Sequence, residues 1–401
     1  MSRAGSQRRT LGSLLGSLRP HWRVDAHLPV RIDRLLGGDR RFGSRDRRLY
    51  RELIYTALRY LPWVEPLLDS EPERAAQRIA WLAADTPAAQ SFRGELCAGL
   101  PPCPEHTAAK AAVLGADVEI LLPGWLRAEC PEAFAPEQRD ALQSRAPLWL
   151  RLQGADPAAV LAEFTGRGFA WRPSGLLPGA IALAPDADVV STGAYRNGLV
   201  EIQDLGSQLI LESAGVEPGG SWLDACAGAG GKTLQLARLL GADGRVDAYD
   251  LRVPALEQLR IRAERAGLNG RITITSRPDT GYDGVLVDAP CSGSGTWRRS
   301  PHLKWVTTGS SVLSAARIQS GLLAANSPRV RPGGILLYAT CSLCRSENEA
   351  VVDAFLRANA GFEPAPISRL LGGERRTTGH QFWPAGHDGD GFYAAALRRS
   401  R

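Results

Sequence analysis

Cys291 and Cys341 are the residues of this 401-residue sequence with the clearest potential for chemistry. Each follows an apolar segment that reads as a strand, and each is flanked by small polar residues. The carboxyl ends of parallel strands meet at one edge of a sheet, where ligands bind. A single cysteine is more often a small hydrophobic core residue, an interpretation that suits Cys97 and Cys130 better. The position of the pair therefore predicts a shared site with a nucleophilic thiolate.

A glycine-rich turn follows an earlier predicted strand, SWLDAC, and precedes a predicted helix. The candidate ligand-binding residues of this turn are Asp224, Cys226, Ala227, Gly228, Ala229, Gly230, Gly231 and Lys232. A phosphate-binding loop would need glycine at position 226, and a dinucleotide fingerprint would need it at position 233. The remaining pattern, an acid at the strand end followed by Gly-x-Gly, predicts a site for S-adenosylmethionine.

The next predicted strand ends at Asp250, twenty residues after Gly230. An acid in this position can accept hydrogen bonds from both ribose hydroxyls of an adenosine. The alternative is that Asp250 caps the helix that follows it. Because the turn and the acid occur together at the right interval, we favour the ligand-binding role.

A thiol beside a methyl donor would solve a specific chemical problem. Carbon 5 of a pyrimidine is too weak a nucleophile to take a methyl group unaided, but a thiolate added to carbon 6 converts the ring to an enamine that can do so. Asp288 is well placed to interact with N3 of the base. A second group must then remove the carbon-5 proton so that the sulfur can leave. The residues alone do not decide which cysteine attacks.

Four segments together resemble the RsmB/Sun family of RNA cytosine-5 methyltransferases, namely DACAGAGGKT, DAPCSGSGTWRRSPHLKW, YATCSLCRSENE and DGFYAA. The segment QDLGSQL is similar as well, and the resemblance spans roughly residues 145–396. It implies that Cys341 is the nucleophile and that Cys291 assists release. It also implies that residues 226–232, Asp250 and Asp288 line the cofactor or the target base.

Two departures from the family pattern concern the cofactor. The family's first motif usually reads Ala-Pro-Gly-Gly, where this sequence has residues 228–231, Gly-Ala-Gly-Gly. The family also places Gly-Asp after the third strand to hold the adenine, and here Ser276 and Arg277 occupy those positions. Asp279 is the nearby acid and is our candidate for that contact. The connection to the next strand, 276–283, is short for a parallel crossover.

Three basic residues beyond the Cys291 loop, Arg298, Arg299 and Lys304, are candidates for gripping RNA phosphates around a flipped cytosine. The alternative is a solvated loop. Only three of the 48 basic residues are lysines, and Lys232 and Lys304 both fall within the motifs. A lysine kept against that bias suggests a role that needs a compact ammonium with three donors.

The basic residues are concentrated at the N-terminus, since residues 1–60 hold 14 Arg and 5 acids. The remainder of the chain is near neutral. The basic N-terminal segment is therefore the part that we expect to contact a polyanion. We predict that the first residues form a solvated basic arm rather than a targeting segment. Apolar residues from Tyr50 to Leu61 recur at helical spacing, with Ser44 as the expected N-cap.

The order of predicted elements gives an α/β fold with a Rossmann-like class I methyltransferase sheet. An all-helical domain is expected over 1–140, a small α+β element over 141–200 and the methyltransferase domain over 201–401. By resemblance, the first is NusB-like, as in the bacterial ribosomal-RNA enzyme, and the second is RNA-recognition-like.

Seven cysteines, an odd number, and no secretory signal indicate reduced thiols and a cytoplasmic protein. No apolar run is long enough for a membrane span. Cys341 and Cys344 form a Cys-x-x-Cys, but nothing in the sequence completes a zinc site, so we expect no metal. We expect a monomer.

The favoured hypothesis is a methyltransferase that uses S-adenosylmethionine to form 5-methylcytosine in RNA, with 16S ribosomal RNA as the predicted substrate. Transfer RNA is the alternative substrate. A non-catalytic RNA-binding or ribosome-assembly factor is the alternative from another class, and a thiol-redox protein built on Cys341 and Cys344 is a more distant one.

Overall fold

The computed structural model of the protein describes residues 2–153, 157–367 and 369–401. The chain forms two compact units. The first unit comprises Met1–Arg145 and Trp297–Thr308, and the second comprises Ala146–Thr296 and Gly309–Arg401.

The first unit is helical. Its helices in the N-terminal segment are α1 (Arg3–Leu18), α2 (Leu28–Gly38), α3 (Ser44–Arg59), α4 (Leu61–Val64), α5 (Leu67–Ser70), α6 (Pro72–Leu82), α7 (Gln90–Leu96), α8 (Thr107–Leu114), α9 (Leu126–Glu129) and α10 (Pro136–Gln143). Short 3-10 turns lie at Glu119–Leu121 and Pro131–Phe134.

Helix α3 carries the predicted apolar stripe. Leu53, Ile54 and Leu58 are at most 1% exposed, so this face lies in the core of the unit, where each such side chain contributes about 1.5–3 kcal/mol. The predicted N-cap is one residue out of place, because Ser44 is the first helical residue and Gly43 is the cap.

The prediction of a solvated N-terminal arm is wrong. Residues 3–18 form helix α1, whose Leu11, Leu15 and Leu18 belong to the hydrophobic core of the first unit. The prediction rested on the many arginines of this segment. These arginines lie on the solvent-facing side of α1, where several form ion pairs with acids, such as Arg8 with Glu73. The leucines at helical spacing carried the opposite signal.

The segment 297–308 belongs to the first unit, although we predicted it within the methyltransferase domain. It contains the short helix Leu303–Val306 and anchors itself through aromatic residues. Trp297 is fully buried and packs edge-on against Trp125, with ring centroids 6.3 Å apart. Trp305 donates to the Leu58 carbonyl at 2.6 Å. Tertiary packing thus decides the unit to which this segment belongs.

The second unit begins with a small α+β element. It contains β1 (Leu148–Leu152), α11 (Pro157–Gly166), β2 (Trp171–Pro173), β3 (Ala180–Leu183), α12 (Gly193–Arg196) and β4 (Val200–Ile202), with a 3-10 turn at Val189–Ser191. Its antiparallel sheet has the order β2-β3-β1-β4. The predicted strands near 147–153 and 180–185 are confirmed, whereas β2 and β4, of three residues each, carried too short a pattern to detect.

The rest of the second unit holds the large sheet. Its elements are α13 (Leu205–Ala214), β5 (Ser221–Asp224), α14 (Gly231–Leu239), β6 (Arg245–Ala248), α15 (Val253–Arg265), β7 (Ile272–Ile274), β8 (Tyr282–Asp288), α17 (Gly309–Asn326), β9 (Val330–Thr340), α18 (Glu349–Ala358), β10 (Phe362–Pro364), β11 (Gly373–Arg375), β12 (His380–Phe382), α19 (Pro384–His387) and β13 (Phe392–Arg399), with Leu303–Val306 counted as α16. Further 3-10 turns lie at Ser294–Thr296, Ser327–Arg329 and Arg345–Glu347.

This sheet has the order β11-β12-β13-β9-β8-β5-β6-β7, and β10 also pairs with β13. Strands β5 to β9 are mutually parallel where they pair, whereas β13 runs antiparallel to β9. The strand order reverses between β5 and β8, and the carboxyl edge at such a switch point is where this class of sheet binds ligands. The predicted Rossmann-like fold class is confirmed.

The connection from β7 to β8 has no helix; its residues 275–281 are all described. It runs from the carboxyl end of β7 to the amino end of β8, past the positions of β6 and β5. On the face that a crossover helix would cover, β6 presents Arg245 and Asp247 rather than apolar side chains. Asp247 accepts a 2.6 Å hydrogen bond from the Tyr282 hydroxyl, so this face is polar and needs no cover.

Candidate active site

Strand register brings the two predicted cysteines together. In the β8–β9 pair, Asp288 lies opposite Ala339, so Cys291 and Cys341 follow at three and two residues beyond the paired ends. Their sulfur atoms are 3.3 Å apart, within hydrogen-bonding distance. Both residues are half-buried. The two thiols therefore form one site at the carboxyl edge of the sheet.

The thiols differ in their electrostatic surroundings. The hydrogen bond with Cys341, burial and the negative charges of Cys341 and Glu347 raise the pKa of Cys291 well above its usual value. Cys291 therefore holds its proton at neutral pH. The two sulfurs are within hydrogen-bonding distance, and either thiol could donate.

Asp288, the last residue of β8 and three residues before Cys291, binds Lys232. The Lys232 ammonium is 2.8 Å from the Asp288 carboxylate, and the lysine side chain is only 7% exposed. The same ammonium lies 4.9 Å from the centre of the Phe392 ring. Lys232 stands in the first turn of α14, so this ion pair joins the glycine turn to the cysteine loop. One of the three unusual lysines thus has a role at the site.

Asp224 is buried beneath the glycine turn. Its carboxyl accepts a 2.7 Å hydrogen bond from the Thr233 hydroxyl and a 3.3 Å bond from the backbone N–H of Cys226. Burial raises the pKa of Asp224 to about 7, and the Thr233 hydrogen bond opposes this effect. Burial likewise raises the pKa of Cys226. Asp224 therefore supports the turn from inside, and Thr233 is a partner that the sequence analysis did not single out.

Gly228 and Gly230 have positive φ angles of 52° and 87° for different reasons. The Gly228 N–H donates to Asp250 at 2.8 Å, and a Cβ there would lie 3.2 Å from the Arg252 guanidinium. A Cβ on Gly230 would lie 2.2 Å from a methyl of Leu259, inside van der Waals distance. Gly228 thus leaves room for the Arg252 side chain beside Asp250, while Gly230 lets α14 and α15 pack closely.

Asp250 is held by backbone and side-chain donors. One oxygen accepts from the Arg252 N–H at 2.8 Å and its Nε at 3.0 Å, while the other accepts from Gly228 and, at 3.0 Å, from Arg252 Nη2. Burial raises the pKa of Asp250, but the hydrogen bonds outweigh this effect and lower it. Asp250 does not cap α15, whose N-cap is Arg252. Its position at the end of β6 fits the predicted ribose contact.

Asp279 does not fit the predicted adenine contact. It is exposed and lies just before β8, where its N–H bonds the Tyr282 hydroxyl at 3.1 Å and its carbonyl accepts from Arg329 at 2.9 Å. Both partners stand at the amino ends of β8 and β9, the edge opposite the glycine turn. Because the connection from β7 is short, the chain has already crossed the sheet when it reaches this acid. We therefore correct the assignment of Asp279 as a cofactor ligand.

Two of the three predicted phosphate contacts are buried within the first unit. Lys304 is 1% exposed and donates to the Arg59 and Leu121 carbonyls and to Gln143 Oε1, at 2.9, 3.3 and 2.8 Å. Burial lowers its pKa well below the usual value.

Arg298 is 2% exposed and donates to the Ser144 hydroxyl at 2.8 Å. These placements do not fit phosphate binding, because both cations are withdrawn from solvent. We correct both assignments on that ground, whereas Arg299 is exposed and stays a prediction. The scarcity of lysine suggested a role for Lys304 that needs three donors. Its ammonium does donate three hydrogen bonds, but they stabilise the first unit.

Like Thr233, Glu347 is a residue of the site that the sequence patterns did not reveal. It is fully buried and accepts hydrogen bonds from Ser292 and Ser342, the residues after the two cysteines. The segment SENE was part of the family resemblance, but nothing in its spacing predicted where this acid points.

A cavity of about 460 Å³ opens beside Cys291. It is lined by Pro290, Cys291, Ser310, Ser311, Ser314, Ala315 and Ile318. Its volume is in the range of small-ligand pockets. The cavity gives access to this cysteine from the side of α17.

The Cys-x-x-Cys spacing does not form a dithiol pair. Cys344 is fully buried and its sulfur lies 3.6 Å from the Ser294 hydroxyl, whereas the sulfur partner of Cys341 is Cys291. Within the described residues, no group of three or more His, Cys, Asp or Glu side chains could hold a metal ion. In that same part of the chain, no helix is long and apolar enough to cross a membrane.

Residues 212–398 match the family model described as 16S rRNA methyltransferase RsmB/F. The chain is 29% identical over 396 residues to Ribosomal RNA small subunit methyltransferase B of Vibrio vulnificus, covering 88% of this chain and 91% of the relative. It is 33% identical over 297 residues to the protein of that name from Cronobacter sakazakii, covering 71% and 67%.

Among solved structures, NSun6 from Pyrococcus horikoshii with SFG superposes with a TM-score of 0.62 at 19% identity, covering 70% of this chain and 98% of that chain. At this identity the likeness supports the fold alone. The sequence relatives carry the assignment further, and the chain belongs to the RsmB/F family of S-adenosylmethionine-dependent RNA methyltransferases.

Proposed function

We propose that this protein methylates carbon 5 of a cytosine in 16S ribosomal RNA, with Cys341 as the nucleophile. The observation that carries the proposal is the contact between the Cys291 and Cys341 sulfurs at the carboxyl edge, beside the ion pair of Asp288 and Lys232. Two thiols at one ligand-binding edge suit a reaction that needs covalent attack and subsequent release. The 16S substrate is inferred from the names of the bacterial relatives.

The cofactor side chains fit S-adenosylmethionine. A Cβ on Gly231 would meet nothing within 4 Å, so a ligand can approach the backbone of the glycine turn there. Asp250 supplies the carboxylate for the ribose hydroxyls. When bound, S-adenosylmethionine supplies an electrophilic methyl group.

The raised pKa of Cys291 supports Cys341 as the attacking residue. It makes the Cys291 thiol the poorer nucleophile of the pair, which leaves Cys341 as the residue to add to carbon 6 of the base. Asp288, paired with Lys232 at the same carboxyl edge of the sheet, is the residue that we assign to hold N3 of the cytosine. These residues make carbon 5 nucleophilic.

Cys291 then acts in release. Once the Cys341 sulfur is bonded to carbon 6, it no longer carries the charge or the hydrogen bond that raised the pKa of Cys291. The pKa of Cys291 therefore falls, and its thiolate becomes accessible to accept the proton from carbon 5. The electrons of that C–H bond re-form the ring double bond and expel the Cys341 thiolate.

Bisulfite sequencing of total RNA, in cells with and without the protein, tests this function. We expect one or more methylcytosines in 16S RNA to disappear with the protein and with Cys341→Ala. Loss from transfer RNA instead would support the alternative substrate. No lost methylcytosine would favour the non-catalytic ribosome-assembly factor.

A covalent-adduct assay separates the two thiols. Cys291→Ala should accumulate a protein–RNA adduct that survives denaturing gel electrophoresis, because attack proceeds and release does not. Cys341→Ala should form none. The opposite pattern would exchange the two roles.

A further inference from the structure

Glu347 is a fully buried acid that the proposed reaction does not use. It lies at the end of the 3-10 turn that follows the Cys341 loop. Burying a carboxylate is unfavourable unless hydrogen bonds replace its hydration. Here the hydrogen-bond partners of its side chain among the described residues are neutral donors rather than cations. Those donors show what this acid holds.

One set of donors comes from the Cys291 loop. The Ser292 N–H donates to Glu347 Oε1 at 2.8 Å, and the Ser292 hydroxyl donates to Oε2 at 2.5 Å. Both bonds hold the residue directly after Cys291. The backbone N–H bond fixes the direction in which the chain leaves this cysteine.

A second donor comes from the Cys341 loop. The Ser342 hydroxyl donates at 2.5 Å to Oε2, the oxygen that also binds the Ser292 hydroxyl. Ser292 and Ser342 are each one residue beyond a cysteine, so a single carboxylate oxygen joins the two loops at equivalent positions.

Helix α17 completes the arrangement. The Gln319 amide donates at 3.0 Å to Glu347 Oε1 and at 3.0 Å to the Pro290 carbonyl, immediately before Cys291. The next residue, Asn348, is also fully buried and donates at 2.9 Å to the Ser342 carbonyl. Glu347 and Gln319 thus hold the residues on both sides of Cys291, and Glu347 and Asn348 hold the residue after Cys341.

We propose that Glu347 is a positioning residue that sets the distance between the Cys291 and Cys341 sulfurs by binding both loops through one carboxylate. The inference rests on the proposed function for its purpose, since attack and release by two thiols on one ring require a fixed separation. It concerns the geometry of the thiols and does not place Glu347 in contact with the base.

The equilibrium for forming a Cys291–Cys341 disulfide tests the proposal without RNA. It gives the effective concentration of one thiol toward the other, which depends on how the two loops hold the sulfurs. Glutathione disulfide exchanges with the protein dithiol; its S–S bond breaks, a Cys291–Cys341 bond forms, and both thiol protons pass to the two glutathione molecules released. The full-length protein is equilibrated with glutathione buffers, acid-quenched, and the disulfide is mapped by peptide mass spectrometry.

We expect Glu347→Ala to lower this effective concentration at least tenfold, because all four side-chain hydrogen bonds are lost. Glu347→Gln keeps the size of the side chain and one carbonyl oxygen, and its amide can donate to hydroxyls that rotate to accept. It should therefore restore most of the wild-type value. An unchanged value in Glu347→Ala would overturn the proposal.

Two controls separate positioning from general stability. Ser292→Ala with Ser342→Ala leaves Glu347 in place and removes only the two bridging hydroxyls, so the folded protein should lose about threefold to tenfold in effective concentration. Glu201→Gln removes another buried carboxylate of the same unit, which pairs with Arg262 and Arg265. It should lower the thermal midpoint without changing the thiol equilibrium, whereas an equal fall in that equilibrium would refute a specific role.

Methylation assays then link the geometry to the reaction. In Glu347→Ala we expect kcat to fall at least tenfold with KM for RNA within threefold. If no variant or wild-type protein methylates RNA, the proposed function fails while the thiol measurement still judges Glu347. If methylation occurs with normal kcat in Glu347→Ala, the positioning role fails while the proposed function stands.

Discussion

On the thiol side of the sheet edge, Cys291 and Cys341 are held by a fully buried carboxylate, Glu347, whose donors are all internal. On the cofactor side, the carboxylate of Asp250 is held in part by Arg252, whose side chain is 71% exposed. A carboxylate has about four lone-pair sites, and four donors already occupy those of Asp250. The thiol side is therefore preorganised. On the cofactor side, a ribose hydroxyl can bind Asp250 only by displacing a hydrogen bond from Arg252.

The largest expected effect concerns the thiol side. Cys341→Ala should lower methyl transfer by on the order of 10⁴-fold, because an unaided carbon 5 is not nucleophilic enough. Incorporation of a labelled methyl group into RNA measures the loss. Cys344→Ala, three residues away, should keep most of the activity; equal losses in both would instead support chemistry by the Cys-x-x-Cys.

Asp224, on the cofactor side, should make stability depend on pH. Its pKa of about 7 in the folded protein is above the unfolded value, so the folded state binds more protons between about pH 4 and 7. The free energy of unfolding should fall as pH rises through that window, by up to about 4 kcal/mol in total. Asp224→Asn should flatten this dependence in urea unfolding measured at several pH values. A slope unchanged by the substitution would show that Asp224 ionises normally.

The ion pair that joins the two sides has an intermediate effect. Asp288→Asn should lower kcat about 10²-fold, because it removes the proposed contact with the base and leaves the Lys232 ammonium buried without its anion. Lys232→Met should lower kcat similarly, and the double variant should be no worse than either one, as expected for residues that act together. Asp283→Asn is the matched control at the other end of β8. Fully additive losses would contradict a coupled pair.

The smallest effect tests the exchange at Asp250. Arg252→Ala should bind S-adenosylmethionine about threefold more tightly, because an exposed ion pair of this kind contributes about 0–1 kcal/mol that the ligand must otherwise replace. Isothermal titration calorimetry measures the change. Arg260→Ala, which removes an exposed arginine of the same helix, should leave the affinity unchanged. Weaker binding in Arg252→Ala would mean that this guanidinium contacts the ligand instead.

Much of this arrangement could be predicted from local patterns. Four features of the site each follow a strand that the sequence pattern predicted. They are the glycine turn after β5, the acid after β6 and the cysteines after β8 and β9. Parallel pairing then requires them to share an edge. Asp279 was misplaced because proximity along the chain does not reveal when the backbone has crossed a sheet.

The lysines mark the limit of such patterns. Their rarity indicated that Lys232 and Lys304 have specific roles, and both are buried. Lys232 binds a carboxylate from another strand, whereas Lys304 binds carbonyls and an amide of the helical unit. Composition could not distinguish these outcomes, since the partners lie at least 56 residues away in sequence.

The amino-acid sequence by itself indicated the parallel strands β5 to β9 of the second unit and the edge at which its cysteines lie, and it suggested the chemistry that two thiols there could perform. These properties depend on side-chain type and short periodicity, which act over a few residues. Tertiary structure alone decided that segment 297–308 packs into the helical unit, that burial and neighbours raise the pKa of Cys291, and that Glu347 joins both cysteine loops. Each of these depends on burial and on partners brought together by long-range packing, which local sequence does not encode.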